Sequence, residues 1–269
     1  MGHILVRPIR SKVAVGLWLL LLTAGTAAGA QTIQQAVFGE GNQRTPEIST
    51  EELRGLLTDG SVTVLDARPF QEYAVSHIPG AKNVAPKPGA QMSMYVSDVA
   101  EIGRILSGNK AAALVLYCNG PFCGKSKRLS EELLAAGFTN VRRYQLGMPV
   151  WRALGGICQI EAAGLRHVVG HDNTAVVIDI RDAGEFAKGT LAGARNIPRS
   201  LVLEGKDVGE IKKAKDDGRL PMEDHNTRLI VISDRVDDAR YVAQALVREA
   251  FHNVTFFPGT VDDARAALR

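Results

Sequence analysis

The segment VTVLDARPFQEYAVSHIPGAKNV, from Val62, returns as AVVIDIRDAGEFAKGTLAGARNI, from Ala175. Asp66 and Asp179, Arg68 and Arg181, Glu72 and Glu185, Gly80 and Gly193, and Asn83 and Asn196 each sit 113 residues apart. GFTNVRRY, from Gly137, matches AFHNVTFF, from Ala250, at the same offset. Self-similarity at one long period means two copies of one folding unit, which places domains at 48–156 and 163–269. A chain of 269 residues is long enough for both.

Within the first copy, short β-branched runs alternate with helical segments. The pattern predicts a strand at 62–65, a short helix from Pro69 and a strand near Asn83. A helix at 97–106, a strand at 112–117 and a helix at 125–136 follow. A strand at 141–144 and a last helix at 150–154 close the copy. AAALVLY is apolar without alternation, as befits a strand covered on both faces of a parallel sheet. Such alternation gives an α/β fold with right-handed crossovers, and ligands bind outside the carboxyl ends of its strands.

The N-terminus has a different character. Arg7, Arg10 and Lys12 precede the apolar run VAVGLWLLLLTAGTAA, which closes on Ala28-Gly29-Ala30. A basic start, an apolar core and a small-x-small end predict a Sec-type signal peptide over 1–30, cleaved after Ala30, and export to the periplasm. If it were not cleaved, this segment would be the chain's contact with the membrane. Residues 31–47 lack apolar periodicity and read as a leader or linker. The formal charge is +3 for the whole chain, and the signal carries three basic residues and no acids, so the mature protein is near neutral. That excludes a nucleic-acid partner on charge grounds. Three cysteines in an exported chain are no disulfide scaffold, and the odd number implies at least one free thiol.

Two of those cysteines lie in LVLYCNGPFCGKSKRLSEELLAAGF. A strand that ends in Cys118, a loop of small and polar residues and a helix start make a nucleophile cradle. Its backbone N–H groups favour a negative charge on the sulfur and raise the thiolate fraction. Gly120 and Gly124 supply backbone freedom, and Pro121 stiffens the bend. Lys125, Lys127 and Arg128 crowd the first turn, where the helix dipole prefers acids, and so point to an anionic substrate. The second copy is a control: LIVISDRVDDARYVAQAL puts Asp234 where the first has Cys118, and acids Asp237 and Asp238 fill its first turn. That copy reads as structural and inactive.

These segments together resemble the rhodanese superfamily. VLDARPFQEYAVSHIPGAKNV matches its D-x-R-x-x-x-E-[FY]-x-x-x-H-I-P-G-A pattern. The strand-ending cysteine and, loosely, the QLGMPVWRALGG tail match too. The resemblance implies two tandem rhodanese-like domains, each a mainly parallel sheet flanked by helices on both faces. It implies a sulfurtransferase of the thiosulfate type without a cofactor. Cys118 would take a sulfane sulfur from a small anionic donor, hold it as a persulfide and pass it to a cyanide-type or thiol acceptor, a protein thiol included. The substrate-binding positions are Asn119, Gly120, Phe122, Cys123, Gly124, Lys125 and Ser126, and Asp66 with Arg68 is an architectural strand-end pair. The loop is about two residues longer than the common rhodanese loop, and relatives with longer loops that handle phosphate or arsenate place an arginine there, where this chain has Gly124 and Lys125.

Alternatives stay open at this level. Cys123 is a candidate resolving thiol or a loop residue tolerated by packing. The pair Cys118/Cys123 would also suit a thiol–disulfide or arsenate-type reductase, and rhodanese copies can serve as docking modules without chemistry. Cys158 falls in the interdomain stretch and His77 in a turn, both read as structural. His167 and His171 are four apart with no carboxylate partner, and no metal or nucleotide motif is present.

Overall fold

A computed structural model describes residues 32–84 and 98–269. The basic–apolar segment and its Ala-Gly-Ala end lie outside the described residues. So does Ser97, the predicted start of one helix. No helix among the described residues is long and apolar enough to cross a membrane.

The first copy opens with a helix that the predicted elements lack, α1 (Thr50–Asp59). Its start is written in S-x-x-E: the Ser49 hydroxyl accepts from the Glu52 amide at 3.2 Å, and the Glu52 carboxylate accepts from the Ser49 amide at 2.8 Å. Then follow β1 (Thr63–Asp66), α2 (Phe70–Val75), β2 (Lys82–Asn83), α3 (Val99–Ile105) and β3 (Leu114–Tyr117). α4 (Gly124–Ala135), β4 (Val141–Tyr144) and α5 (Gly147–Ala153) complete the unit. α5 begins three residues before its predicted start, because Gly147 at φ +66° lets the chain turn into the helix early.

The strands form one parallel sheet in the order β2-β1-β3-β4. Alternate side chains go to opposite faces, as the strand period requires. Val64, Val115 and Tyr117 pack with Leu53 of α1 and with Met148 and Trp151 of α5. Leu65, Leu114 and Leu116 pack with Ile102 of α3 and with Leu129 and Leu133 of α4. Each such fully buried leucine contributes roughly 1.5–3 kcal/mol, and the sheet is covered on both faces as the unbroken apolar run predicts.

The second copy repeats this plan with β5 (Cys158–Gln159), α6 (Ala162–His171), β6 (Val176–Asp179), α7 (Ala183–Lys188) and β7 (Arg195–Asn196). α8 (Gly209–Asp216), β8 (Leu229–Ile232), α9 (Val236–Arg248), β9 (Val254–Phe256) and α10 (Val261–Ala267) follow. Its parallel sheet has the order β5-β9-β8-β6-β7. β5 lies ahead of residue 163, the predicted start of this domain. Cys158 therefore belongs to a sheet, paired with Thr255 of β9, and burial pushes its thiol pKa up.

The copies meet through backbone. His77 and Gln159 exchange both amide–carbonyl bonds at 3.0 and 2.9 Å, and the Glu161 amide donates to the Ala74 carbonyl at 2.8 Å. Gly164 of α6 lies so close to α2 that a Cβ there would collide with the Ala74 carbonyl group.

Candidate active site: the cysteine loop after β3

Cys118 follows the last residue of β3 and is 2% exposed, so its sulfur lies at the carboxyl end of a strand flanked on both sides. Loop 118–123 then runs to α4, with Cys123 as the N-cap residue of that helix. Cys118 and Cys123 are joined by a disulfide, with Cα atoms 6.3 Å apart. Between them Phe122 is 98% exposed.

The loop is held from three sides. The Cys123 amide donates to the Gly120 carbonyl at 3.0 Å, closing a turn that Gly120 adopts at φ +105°. Gln145 donates from Nε2 to the Pro121 carbonyl at 3.0 Å. Gly147 abuts the loop from α5: a Cβ there would collide with the Gly120 amide and lie 2.5 Å from the Cys118 carbonyl oxygen. Met148 donates its amide to that same carbonyl at 3.1 Å. Two expectations are refined here. Gly124 is the first residue of α4 and has no positive φ, so only Gly120 supplies unusual backbone freedom. The Cys123 N–H is committed to the turn. The expected anion donors are thereby reduced to the remaining loop amides and the first amides of α4, which by position lack an intrahelical acceptor.

The predicted cationic cluster is largely neutralised. Lys127 pairs with Glu40 at 3.0 Å and Arg128 with Glu132 at 3.2 Å. Lys125, partly exposed, makes no ion pair among the described residues. Glu40 belongs to the segment expected to be a leader or linker, and that segment is wired into the site. Glu40 also pairs with the fully buried Arg143 at 2.6 Å. Burial works against the Glu40 charge, but bonds from Arg143 and Lys127 outweigh it and lower the carboxyl pKa. Arg143 in turn donates to Gln145, whose Oε1 accepts from buried Ser126 at 3.3 Å. Phe38 meets Phe122 edge to face, ring centres 6.3 Å apart. Glu40, Arg143 and Gln145 are absent from the predicted site. An arginine inside a short parallel strand was the visible signal for one of them, because a buried guanidinium needs partners.

Asp66 and Arg68 form the predicted architectural pair. The Arg68 guanidinium grips both Asp66 oxygens at 2.6–3.1 Å and donates to the Ser76 carbonyl at 2.6 Å. Burial alone would lower the Arg68 pKa, yet the Asp66 contact prevails and raises it. Tyr117 donates its hydroxyl to Asp66 at 2.6 Å, and burial with the Asp66 charge pushes that phenol well above its ordinary range. The second copy repeats the scaffold: Arg181 grips Asp179 and donates to the Gly189 carbonyl. Asn83 and Asn196 bridge the two equivalent carbonyls in each copy. Glu72 is different. It accepts from Asn119 Nδ2 at 2.5 Å and so fixes the residue after Cys118, whereas its counterpart Glu185 pairs with Lys188 on its own helix.

Strand register corrects one expectation. Asp66 lies opposite Tyr117 in the first sheet and Asp179 opposite Ile232 in the second. The residue in the place of Cys118 is therefore Ser233, and Asp234 stands where the first copy has Asn119. Laying the strand LVLYC on LIVIS gives the same pairing, and the two loops differ in length: six residues, 118–123, against three, 233–235. Ser233 is buried and accepts from the Arg235 amide at 3.2 Å. Asp234 accepts from the Val261 amide at 3.0 Å, tying the loop to α10. A hydroxyl cannot carry sulfur as a persulfide, so this copy remains without the expected chemistry.

Elsewhere, His167 and His171 stack with ring centres 4.6 Å apart, and no group of three or more metal-ligating side chains occurs among the described residues. A cleft of about 860 Å³ between the copies, lined by Arg54, Trp151, Arg240 and Arg248 among others, contains none of the loop residues.

Comparison with known proteins agrees with this architecture. The Rhodanese-like domain family matches residues 49–154 and again 165–266, and the chain belongs to that family. Over 120 residues it is 32% identical to the HTH-type transcriptional regulator Rv0324 of Mycobacterium tuberculosis, covering 45% of this chain and 47% of that protein. The chain thus spans about half the length of this curated relative. Thiosulfate sulfurtransferase from Pseudomonas aeruginosa aligns at 23% identity over 80% of this chain and 43% of its own, with a TM-score of 0.35. The 3-mercaptopyruvate sulfotransferase SseA from Escherichia coli aligns at 21% identity over 81% and 99%, with a TM-score of 0.36.

Proposed function

We propose that this protein is an exported, periplasmic sulfurtransferase in which reduced Cys118 takes a sulfane sulfur from a thiosulfate-like anion and passes it to a thiophilic acceptor. The observation that carries this reading is the placement of Cys118 beyond β3, between loop amides and the start of α4, in the one copy that retains a thiol there. The Cys118 thiolate attacks the outer sulfur of the donor, the donor's S–S bond breaks, and sulfite leaves with the electron pair. The loop and α4 amides hold the donor's negative charge and then the persulfide. Cyanide or a thiolate removes the outer sulfur and regenerates Cys118. Export rests on the basic–apolar–small pattern at the N-terminus.

Thiocyanate formation from thiosulfate and cyanide, measured on protein reduced beforehand, tests the reading. Cys118→Ser is expected to lose at least about 1,000-fold in rate, because the covalent carrier is gone. Equal rates for wild type and variant would overturn it.

A second reading has one observation in its favour, the Cys118–Cys123 disulfide. It makes the protein a thiol–disulfide exchanger that handles no sulfane sulfur. Trapping free thiols across graded redox buffers, with and without a sulfur donor, separates it from the first.

A further inference from the structure

The disulfide raises a chemical question, because a carrier that is bonded to Cys123 cannot attack a donor. Three features bear on how the bond arises and reopens. The first is reach. Cys118 and Cys123 meet without opening the loop, since the Cys123–Gly120 turn and the Gln145–Pro121 bond hold the loop in the paired arrangement. The second is origin. The second copy shares the Asp–Arg–Asn scaffold and passes from strand to helix in three residues, so the six-residue loop of the first is what accommodates a second sulfur. The third is access. Cys118 is 2% exposed, whereas Cys123 is partly exposed at the N-cap of α4, beside the protruding Phe122.

We infer that Cys123 is the resolving nucleophile of the sulfur-transfer cycle, which converts the Cys118 persulfide into free sulfide and the observed disulfide, and that a dithiol reductant resets the site. This rests on the sulfur-transfer reading and adds to it a product and a co-substrate. Loading of the Cys118 thiolate from thiosulfate, with uptake of a proton, gives the persulfide anion and hydrogen sulfite. The Cys123 thiol then gives up its proton as its sulfur attacks the inner sulfur of the persulfide. The Cys118–Cys123 bond forms, the bond between inner and outer sulfur breaks, and HS⁻ leaves with the electron pair. The disulfide is reduced by a dithiol that attacks the accessible Cys123 sulfur and expels Cys118 as thiolate, and the dithiol's second sulfur frees Cys123. The net reaction takes thiosulfate and a dithiol to hydrogen sulfite, HS⁻ and the oxidised dithiol, so two electrons pass from dithiol to sulfane sulfur. Thiolate leaving-group strength favours expulsion of the cysteine that the loop amides stabilise as an anion.

The test is a single turnover on the full mature chain, reduced, freed of reductant under anaerobic conditions and mixed with one equivalent of thiosulfate. Sulfite, sulfide and intact mass are read together. The expected result is equal sulfite and sulfide, a protein lighter by two hydrogens, and a 118–123 link in the peptide map. In Cys123→Ser, sulfide released per sulfite is expected to fall at least about 10-fold while the protein keeps one added sulfur. Sulfite with a lasting persulfide and a free Cys123 in wild type would overturn the inference and leave the sulfur-transfer reading standing. Absence of both sulfite and added sulfur would overturn that reading itself. Loading by inorganic polysulfide then serves as a second route to the persulfide, and a lasting wild-type persulfide there would again overturn the role of Cys123.

Discussion

The first copy takes six residues to pass from its central strand to the following helix, and the second takes three. Around this difference almost everything else is shared. Both copies clamp an aspartate with the arginine two residues on, both bridge that turn with an asparagine, and both place a buried strand of four residues beside it. The scaffold thus does not depend on a cysteine, and the proposed chemistry belongs to the longer loop. Where the first copy spends its loop on two sulfurs, the second ties Asp234 to α10.

Moving the thiol breaks the comparison most severely. A double variant, Cys118→Ser with Ser233→Cys, keeps one thiol at the equivalent strand end and exchanges the loop around it. Its sulfur-transfer rate is expected to stay at least about 1,000-fold below wild type, as for loss of the nucleophile itself. Recovery of a tenth of the wild-type rate or more would show that the strand end alone suffices.

Gly147→Ala attacks the loop from the other side. The new Cβ collides with the Gly120 amide, and at φ +66° the alanine is strained as well. A shift of about 1 Å at the thiol can cost on the order of 100-fold in rate, to be read as kcat/KM after the variant's fold is checked by circular dichroism. An unchanged kcat/KM would mean that the close approach of α5 does not position Cys118.

The repeat motif made the scaffold legible, because Asp66, Arg68 and Asn83 recur at a fixed spacing and keep one geometry in both copies. The site was legible to the extent that its chemistry is local in sequence: strand end, loop and helix start are contiguous. What escaped was non-local. Glu40 reaches Arg143 across 103 residues, and Glu72 reaches Asn119 across 47. No periodicity links such residues; only the parallel sheet brings them together. Ser233, by contrast, was within reach of the sequence, because laying LVLYC on LIVIS pairs it with Cys118 as the strand register does.

Smaller effects sharpen the contrast. His77 lies where the second copy has Thr190; Thr190 donates to Asp179, whereas His77 contacts the Tyr73 carbonyl and Glu161. Burial lowers the His77 pKa, although the Tyr73 carbonyl and the Glu161 and Asp66 charges oppose the shift. The neutral ring is therefore favoured in the fold. Its contribution is present above the unfolded value of about 6.5 and is lost as pH falls through the lower folded value. The urea midpoint is expected to drop between about pH 7.5 and about pH 5.5, and His77→Gln to flatten that drop. An unaltered slope in the variant would assign the acid sensitivity elsewhere. Thr260→Ala removes the capping box of α10 in the second copy and is expected to cost about 1 kcal/mol of stability, read by urea denaturation, with sulfur transfer unchanged.

The claim at the centre is that sulfur is carried by Cys118 and by no other group in the chain. Peptide mapping by mass spectrometry after thiosulfate treatment of the reduced Cys123→Ser protein tests it most directly. One added sulfur on the peptide that contains Cys118, with none on the Cys158 peptide, is the expected result. Added sulfur at Cys158, or a protein that stays unmodified while sulfite is released, would contradict it.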